Sequence, residues 1–425
     1  MILSKYELTY LSKVLLTLIA MFLVFMPYMR IMVSGAPIYV YIIFLLLLVS
    51  IIFIVGRAKV LQLPTIQLTL VFLNISFLVT FINFVLDPRG VEFRIFIFIQ
   101  KSVALSSIVL LPLLYFLTPN NGINSYAKKV FLLFGTLSVL WGIFQVMDFT
   151  FIRNITNYYY FDLNEVNAKY YQGQGYYGVK RAIAGMWNSN VYGPVLVMIF
   201  PLLVYTNKFY FKNLIIALWL IGTIFSGSRQ VFLVLIIYGI IFSIYEFKIK
   251  YKNYLFGSIL LGVITIIFLN MEFEGKSTLL RGIGYTEQGI NYSSGVQERA
   301  GGYFNFGTKF VDEPFRFFLG DGLGNREAKT RTGSDDFVFV SNSFLLSLID
   351  NGVLGILIYI GIITSTILLC IKHSIKWGVM TLSGIFIFHL TDNAMYASPI
   401  VFTLWCLLIS MMLNDCIYKI NGSLD

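Results

Sequence analysis

Arginine is the residue type in this chain that first invites a chemical reading. The segment GSRQVFLVL (227–235) sets Arg229 at the start of an apolar run, directly after a Gly227-Ser228 turn. A helix N-terminus presents free N–H groups and the positive end of the helix dipole, so it attracts anions. A guanidinium at the same point adds a planar fork that grips phosphate or carboxylate through two hydrogen bonds. In RAIAGMWNSNVYGP (181–194), Arg181 precedes a Trp-Asn-Ser-Asn cluster at the head of another apolar run. Structural alternatives stand beside these readings: Arg229 could snorkel to lipid headgroups, Trp187 could be an interfacial belt residue, and Asn188 and Asn190 could cap a helix. A second group consists of ionisable residues within or at the ends of apolar runs: Lys101, Asp350, and the i, i+3 pair His389 and Asp392. Such groups are costly in hydrocarbon and usually mark function.

The elements that must hold these residues follow from composition. Of 425 residues, 58% are hydrophobic and only 12% charged, and the mean hydropathy is +0.79. Soluble domains are about half apolar and about a quarter charged. A soluble enzyme, a disordered chain and a DNA-binding domain are thereby excluded, and a polytopic membrane protein remains. The apolar runs are long and continuous, as in IYVYIIFLLLLVSIIFIV (38–55), which predicts helices rather than the short alternating segments of a β-barrel. A bilayer core about 30 Å thick needs about 20 helical residues per crossing. The predicted spans are 8–28, 38–55, 64–86, 94–117, 128–149, 190–206, 212–227, 229–246, 254–270, 344–371, 375–390 and 399–416. The expected architecture is therefore a single all-α polytopic membrane domain over 1–425 with about 12 transmembrane helices. Polar loops at 150–189 and 271–343 interrupt it, the larger one between spans nine and ten.

Lysine-rich short loops alternate with lysine-poor ones. This places both termini in the cytoplasm and both long loops outside. The two cations then separate: 11 of the 12 arginines fall outside, whereas 13 of the 19 lysines fall inside. Lysine satisfies the positive-inside rule, but that rule does not explain external arginine. An anionic ligand at the outer face does, with Arg94 and Arg316 among the candidate contacts; ordinary loop salt bridges are the competing explanation. Lys101, Asp350 and the His389/Asp392 pair all lie toward the outer half of their spans. A transporter would place such groups near the midplane, so their placement suits chemistry at the outer interface on a lipid-anchored molecule.

The larger loop carries ERAGGYFNFGTKFVDEPFRFFLGDGLGN (298–325). Aromatics beside Asn, Asp and Glu suit sugar recognition, and equally suit a compact loop packed on the membrane surface. Gly320, Gly322 and Gly324 lack the strand context of a nucleotide fingerprint and are expected to form tight turns. The chain re-enters as SNSFLLSLIDNGVLGILIY (341–359), where Ser341 and Asn342 are expected to cap the helix. Gly352 and Gly355 would let another helix approach closely. There is no metal signature and no Walker motif, so no cofactor is expected, although a scattered carboxylate site for Mg²⁺ stays open. The three cysteines, Cys370, Cys406 and Cys416, fall in or beside apolar runs, and no disulfide framework is expected. No small-residue cleavage site follows the first apolar stretch, which is expected to be an uncleaved span.

The order GSR at a span start, a long external loop with an arginine, P…GxGxG, then a helix-opening SNSFL…DNGVLG resembles the O-antigen ligase and O-antigen/capsule polymerase superfamily of bacterial envelope assembly. The likeness is strongest over about 180–360. It implies a GT-C-like glycosyltransferase without metal or nucleotide sugar, seated in the cytoplasmic (inner) membrane. Such an enzyme works at the outer face on glycans linked to undecaprenyl diphosphate, in O-antigen (lipopolysaccharide), capsule or exopolysaccharide synthesis. Carried over residue by residue, Arg229 and Arg299 would hold the donor diphosphate, and Arg181 matches an arginine of the earlier external loop. Ser341-Asn342 stands where ligases and many polymerases have His-Asn, so a histidine role in acceptor activation does not carry over, which weakens a ligase reading more than a polymerase one. The resemblance implies a polysaccharide polymerase, with Asp392, Asp350 or Glu298 as candidate base and His389 as orienter. Substrate contacts are expected from Arg181, Lys101, Arg94, Asn342, Ser341, His389 and Arg316. Partners would be the lipid-linked donor and acceptor, membrane lipid, a chain-length regulator and a flippase, but no nucleic acid. The alternatives are a ligase-type transferase to a lipid or protein acceptor, a flippase for lipid-linked oligosaccharide, and a noncatalytic scaffold.

Overall fold

The computed structural model describes residues 4–33, 36–56, 63–86, 91–117, 122–159, 181–186, 188–206, 211–246, 314–323, 343–391 and 394–421. Within them the chain is an all-α membrane protein. Six helices are long and apolar enough to cross a membrane, and shorter apolar helices accompany them. Of the predicted spans, only 254–270 lies outside the described residues; each of the others overlaps an apolar helix.

Helix α1 (Lys5–Ala20) starts on a capping box in which Ser4 and Glu7 bond each other's backbone, and it runs into a π-helical turn, Met21–Phe25. The predicted span to 28 stops short because Pro27 cannot continue a helix. A hairpin that the hydropathy did not foretell follows: β1 (Arg30–Val33) pairs antiparallel with β2 (Ala36–Tyr39). Next come α2 (Val40–Gly56), α3 (Pro64–Leu86) and α4 (Val91–Leu110). The predicted span 94–117 is interrupted by a 3-10 turn, Leu111–Leu113, containing Pro112, before the one-turn α5 (Leu114–Leu117). Helix α6 (Gly122–Val146) begins earlier than predicted and so takes Lys128 and Lys129 into its first turns. Within the predicted loop 150–189 stands a further helix, α7 (Thr150–Tyr159). The chain continues through α8 (Ser189–Tyr205), α9 (Lys212–Phe225), α10 (Arg229–Glu246), the short α11 (Pro314–Leu319), α12 (Ser343–Lys372), α13 (Lys376–Thr391), α14 (Ala394–Ala397) and α15 (Pro399–Asn421).

The core is built around α15, whose apolar stretch is 94% buried. It packs on α4, α12, α8 and α6. Helices α3 and α12 form the most extensive pair, while α13 lies against α8, α10 and α12. One end of the bundle is stitched through charge. Asp415 near the end of α15 accepts from Lys128, from Asn124 at 2.7 Å and from the Trp377 indole at 2.8 Å. Lys419 donates to the carbonyl oxygens of His373 and Ser374 at 2.8 and 3.2 Å, capping the end of α12. The lysines expected on the cytoplasmic side are thus partly consumed in joining helix ends.

Candidate functional site

Two junctions bring sequence motifs together. At the first, the segment 181–186 folds as an irregular loop inside the protein, with Ala182, Ile183, Ala184 and Met186 buried. Buried backbone polar groups need partners. Gln145 of α6 supplies them, its side-chain oxygen accepting from the N–H groups of both Ile183 and Ala184 at 2.9 Å. The Ala182 N–H donates to the Phe225 carbonyl at 2.9 Å, which draws the loop onto the turn before α10. Gly227 in that turn has φ of +60° and lies beneath the Arg181 side chain: a Cβ there would sit 3.2 Å from Arg181 Nε. Arg181 therefore lies across the GSR turn, and Arg229 opens α10 immediately after it. The side chain of Arg229 lies outside the described residues. Asn188 caps α8 by accepting from the Asn190 N–H at 2.9 Å, as the capping alternative anticipated for Asn188; Trp187 lies outside the described residues.

At the second junction, α12 is broken. Gly352 has φ 65° and ψ −171°, an interruption inside an otherwise continuous helix. Only glycine takes this conformation without steric cost. The break withdraws the usual N–H partners from nearby carbonyls, and the glycine loop replaces them. Asp321 N–H donates to Ile349 O at 2.7 Å and Gly322 N–H to Asp350 O at 2.8 Å. A Cβ on Gly320 would meet backbone atoms of Asp350, Asn351 and Gly352 at 2.5 Å. The Leu323 N–H then donates to Thr80 Oγ1 of α3 at 3.0 Å. Gly320 and Gly322, two of the glycines expected to form tight turns, thus belong to a clasp over the DNG segment, and Gly324 lies outside the described residues. Gly352 admits a neighbouring helix, as expected: the end of the short α11 packs there, with Phe318 O 2.2 Å from its Cβ position.

Around that break sits a buried polar network. Lys101 of α4 pairs with Asp350 at 3.1 Å, both side chains nearly inaccessible, and its ammonium also lies 3.7 Å from the Tyr396 ring centroid. Asn351 accepts from Ser76 at 2.8 Å and donates to the Tyr396 hydroxyl at 2.7 Å. Tyr396 in turn packs edge-on against Tyr359, whose hydroxyl lies 2.6 Å from His389 Nε2. His389 Nδ1 lies 2.7 Å from the Ile385 carbonyl oxygen. A carbonyl can only accept, so Nδ1 carries the proton and Tyr359 donates to Nε2. Beside Lys101 a cleft of about 180 Å³ opens between β2, α4 and the start of α15, lined by Tyr39, Phe96, Gln100, Lys101, Pro399 and Phe402 among others.

No protein-family model matches the chain, and no curated protein matches it significantly.

Of the residues singled out from sequence, Lys101, Asp350 and His389 therefore join one network, and Arg181 joins the turn that launches Arg229. The side chains of Arg94 and Arg316 lie outside the described residues, as do Arg299, Ser341, Asn342 and Asp392 entirely. Sequence reading missed Ser76, Tyr359 and Tyr396 as members of the network, and Gln145 as the support of the buried loop. Gln145 and Ser76 did carry a signal, since each is a polar residue inside an apolar helical run.

Proposed function

We propose that the chain is a polysaccharide polymerase of the cytoplasmic membrane, a metal-independent glycosyltransferase that joins oligosaccharide repeat units carried on undecaprenyl diphosphate. The observation that carries this reading is the pairing of motifs. The loop beginning at Arg181 closes on the GSR turn, and the GDG loop clasps the DNG break of α12. Four segments whose order along the chain resembles that of the O-antigen ligase and polymerase superfamily are thus joined as two physical units.

In this reading 254–270 supplies the ninth of twelve spans, both termini are cytosolic, and the 271–343 segment lies on the extracytoplasmic side. The growing glycan leaves its lipid as the sugar C1–O bond to the diphosphate breaks. A new bond forms from C1 to a hydroxyl oxygen at the non-reducing end of the incoming lipid-linked unit, and the hydroxyl proton passes to a base. Charge builds on the departing diphosphate, and Arg229 and Arg299, flanked by Arg181, stabilise it; preorganised donors of this kind act most strongly where water is excluded. Asp350 is held by Lys101 in a buried ion pair. It is therefore assigned a positioning role with Lys101, which leaves Asp392 or Glu298 as the proposed proton acceptor.

The test is reconstitution in proteoliposomes with a single lipid-linked repeat unit as both donor and acceptor. A ladder of products is expected. Arg229→Ala and Arg299→Ala should each lower its rate about 10²–10³-fold with membrane insertion unchanged, and Arg229→Lys should be poorly tolerated because it lacks the bidentate fork. Ladders of normal rate and length from both alanine variants would end the proposal.

A further inference from the structure

The short helix α7 is bound to the protein along one stripe and carries a second, exposed apolar stripe beside it. Its inner stripe is Ile152, Thr156 and Tyr159, at i, i+4 and i+7. Thr156 accepts from the Trp141 indole at 3.0 Å, and the Tyr159 hydroxyl accepts from the Tyr28 N–H at 2.8 Å. Burial holds the Tyr159 phenol far above its usual range, in keeping with a fixed, dry seat. The helix therefore cannot roll to hide its other faces.

The exposed stripe is Phe151, Ile155 and Tyr158, again at i, i+4 and i+7, with Phe151 72% and Tyr158 91% exposed. At 3.6 residues per turn the opposite flank carries Thr150, Arg153 and Asn157. There Arg153 Nε donates to Asp148 at 2.9 Å. One flank is thus aromatic, the other polar.

What covers the aromatic flank is indicated by its continuity with a membrane-spanning surface. Helix α6 exposes Leu133, Leu137 and Phe144 along one helical line, and Met147 continues that line beyond its end. Phe149, in the turn into α7, packs its ring edge-on against Phe144 at 5.3 Å, and its N–H donates to the Phe144 carbonyl. The apolar outer line of the span thus bends without a gap into the outer flank of α7.

We infer that α7 is an interfacial helix that lies on the bilayer surface, with Phe151 and Tyr158 immersed in lipid. Amphipathic helices of this kind bury their apolar face about 5–10 Å into the headgroup–acyl boundary, and aromatic rings with one polar tip favour that depth. Trp141, which holds α7 through Thr156, also packs against the loop at Gly185, where a Cβ would sit 3.3 Å from its ring. The lipid surface would thereby set the height of the loop that carries Arg181.

The experiment is nitroxide labelling of Phe151→Cys, Tyr158→Cys and, on the polar flank, Arg153→Cys in the full chain reconstituted in liposomes. The native cysteines are buried and should take no label. Labels at 151 and 158 are expected to relax more with dissolved oxygen than with a water-soluble nickel chelate, and the label at 153 should show the reverse. Dominant nickel accessibility at 151 and 158 would overturn the inference. So would shielding from both reagents, because the covering surface would then be protein, a second copy included. Unlabelled protein and retained size-exclusion profiles of all three variants guard against misfolding.

Discussion

Truncating Lys101 or Asp350 alone would leave an uncompensated charge where α3, α4 and α12 meet. Breaking a buried ion pair from one side typically costs about 3–5 kcal/mol, whereas replacing both partners with apolar residues is often neutral. Lys101→Met and Asp350→Leu should therefore each lower the melting temperature in detergent sharply, and the double variant should recover most of the loss. If Asp350 only positions its neighbours, the double variant should also retain measurable polymer formation. A stable double variant without activity would show that the pair acts on the reaction itself, through Asp350 as base or Lys101 as substrate contact. At this scale the sequence was informative about residue types: an ion in an apolar run must have a partner, and Lys101 and Asp350 could be singled out for that reason. Their pairing with each other was not legible, because 249 residues separate them and no local pattern records such a distance. His389 illustrates the same limit. Its nearest sequence candidate was Asp392, three residues on, yet within the described residues its ring nitrogens are taken by Tyr359 and Ile385.

The elements were mostly readable because crossing a bilayer demands length and apolarity, both of which are local properties. What escaped was every departure from a straight helix. The run 344–371 reads as one span, yet α12 breaks at Gly352, because the clasp from Asp321 and Gly322 satisfies the carbonyls that the break releases. Both glycine motifs were visible in the sequence, but nothing local said that one would close on the other. The clasp can be tested with glycine substitutions. A Cβ at Gly352 would come within 2.2 Å of Phe318 O, and strain of that backbone alone costs about 1–3 kcal/mol. Gly352→Ala should therefore destabilise the protein by more than that and expose 314–323 to limited proteolysis. Gly239→Ala in α10 is the contrast: nothing lies within 4 Å of its Cβ position, and in a helix interior the exchange should raise stability by about 0.5–1 kcal/mol. Equal melting temperatures for the two variants would mean that the clasp contributes little.

Across the whole molecule, lysine gathers where helix ends are tied together. Lys128 ties the start of α6 to the end of α15, and Lys419 ties the end of α12 to the same end of α15, whereas the opposite end of α6 leads into α7. If the lysine-rich end faces the cytosol, a cysteine placed at exposed Ser374, in the α12–α13 turn, should react with a membrane-impermeant maleimide only after cells are permeabilised. One placed at exposed Thr150, at the start of α7, should react in intact spheroplasts. A cysteine at Ser334, within the 271–343 segment, should behave like the one at Thr150, because the proposed chemistry needs Arg299 and Arg229 on the same side of the membrane. The buried native cysteines should leave a low background. The three sites discriminate among different errors. If Ser374 and Thr150 exchanged behaviour, the molecule would be inverted and its arginines would face a compartment where the lipid-linked glycan is not polymerised. If those two behaved as stated but Ser334 sided with Ser374, the span expected at 254–270 would not cross. Arg299 would then be separated from Arg229 by the full thickness of the bilayer, and no shared diphosphate could bridge them.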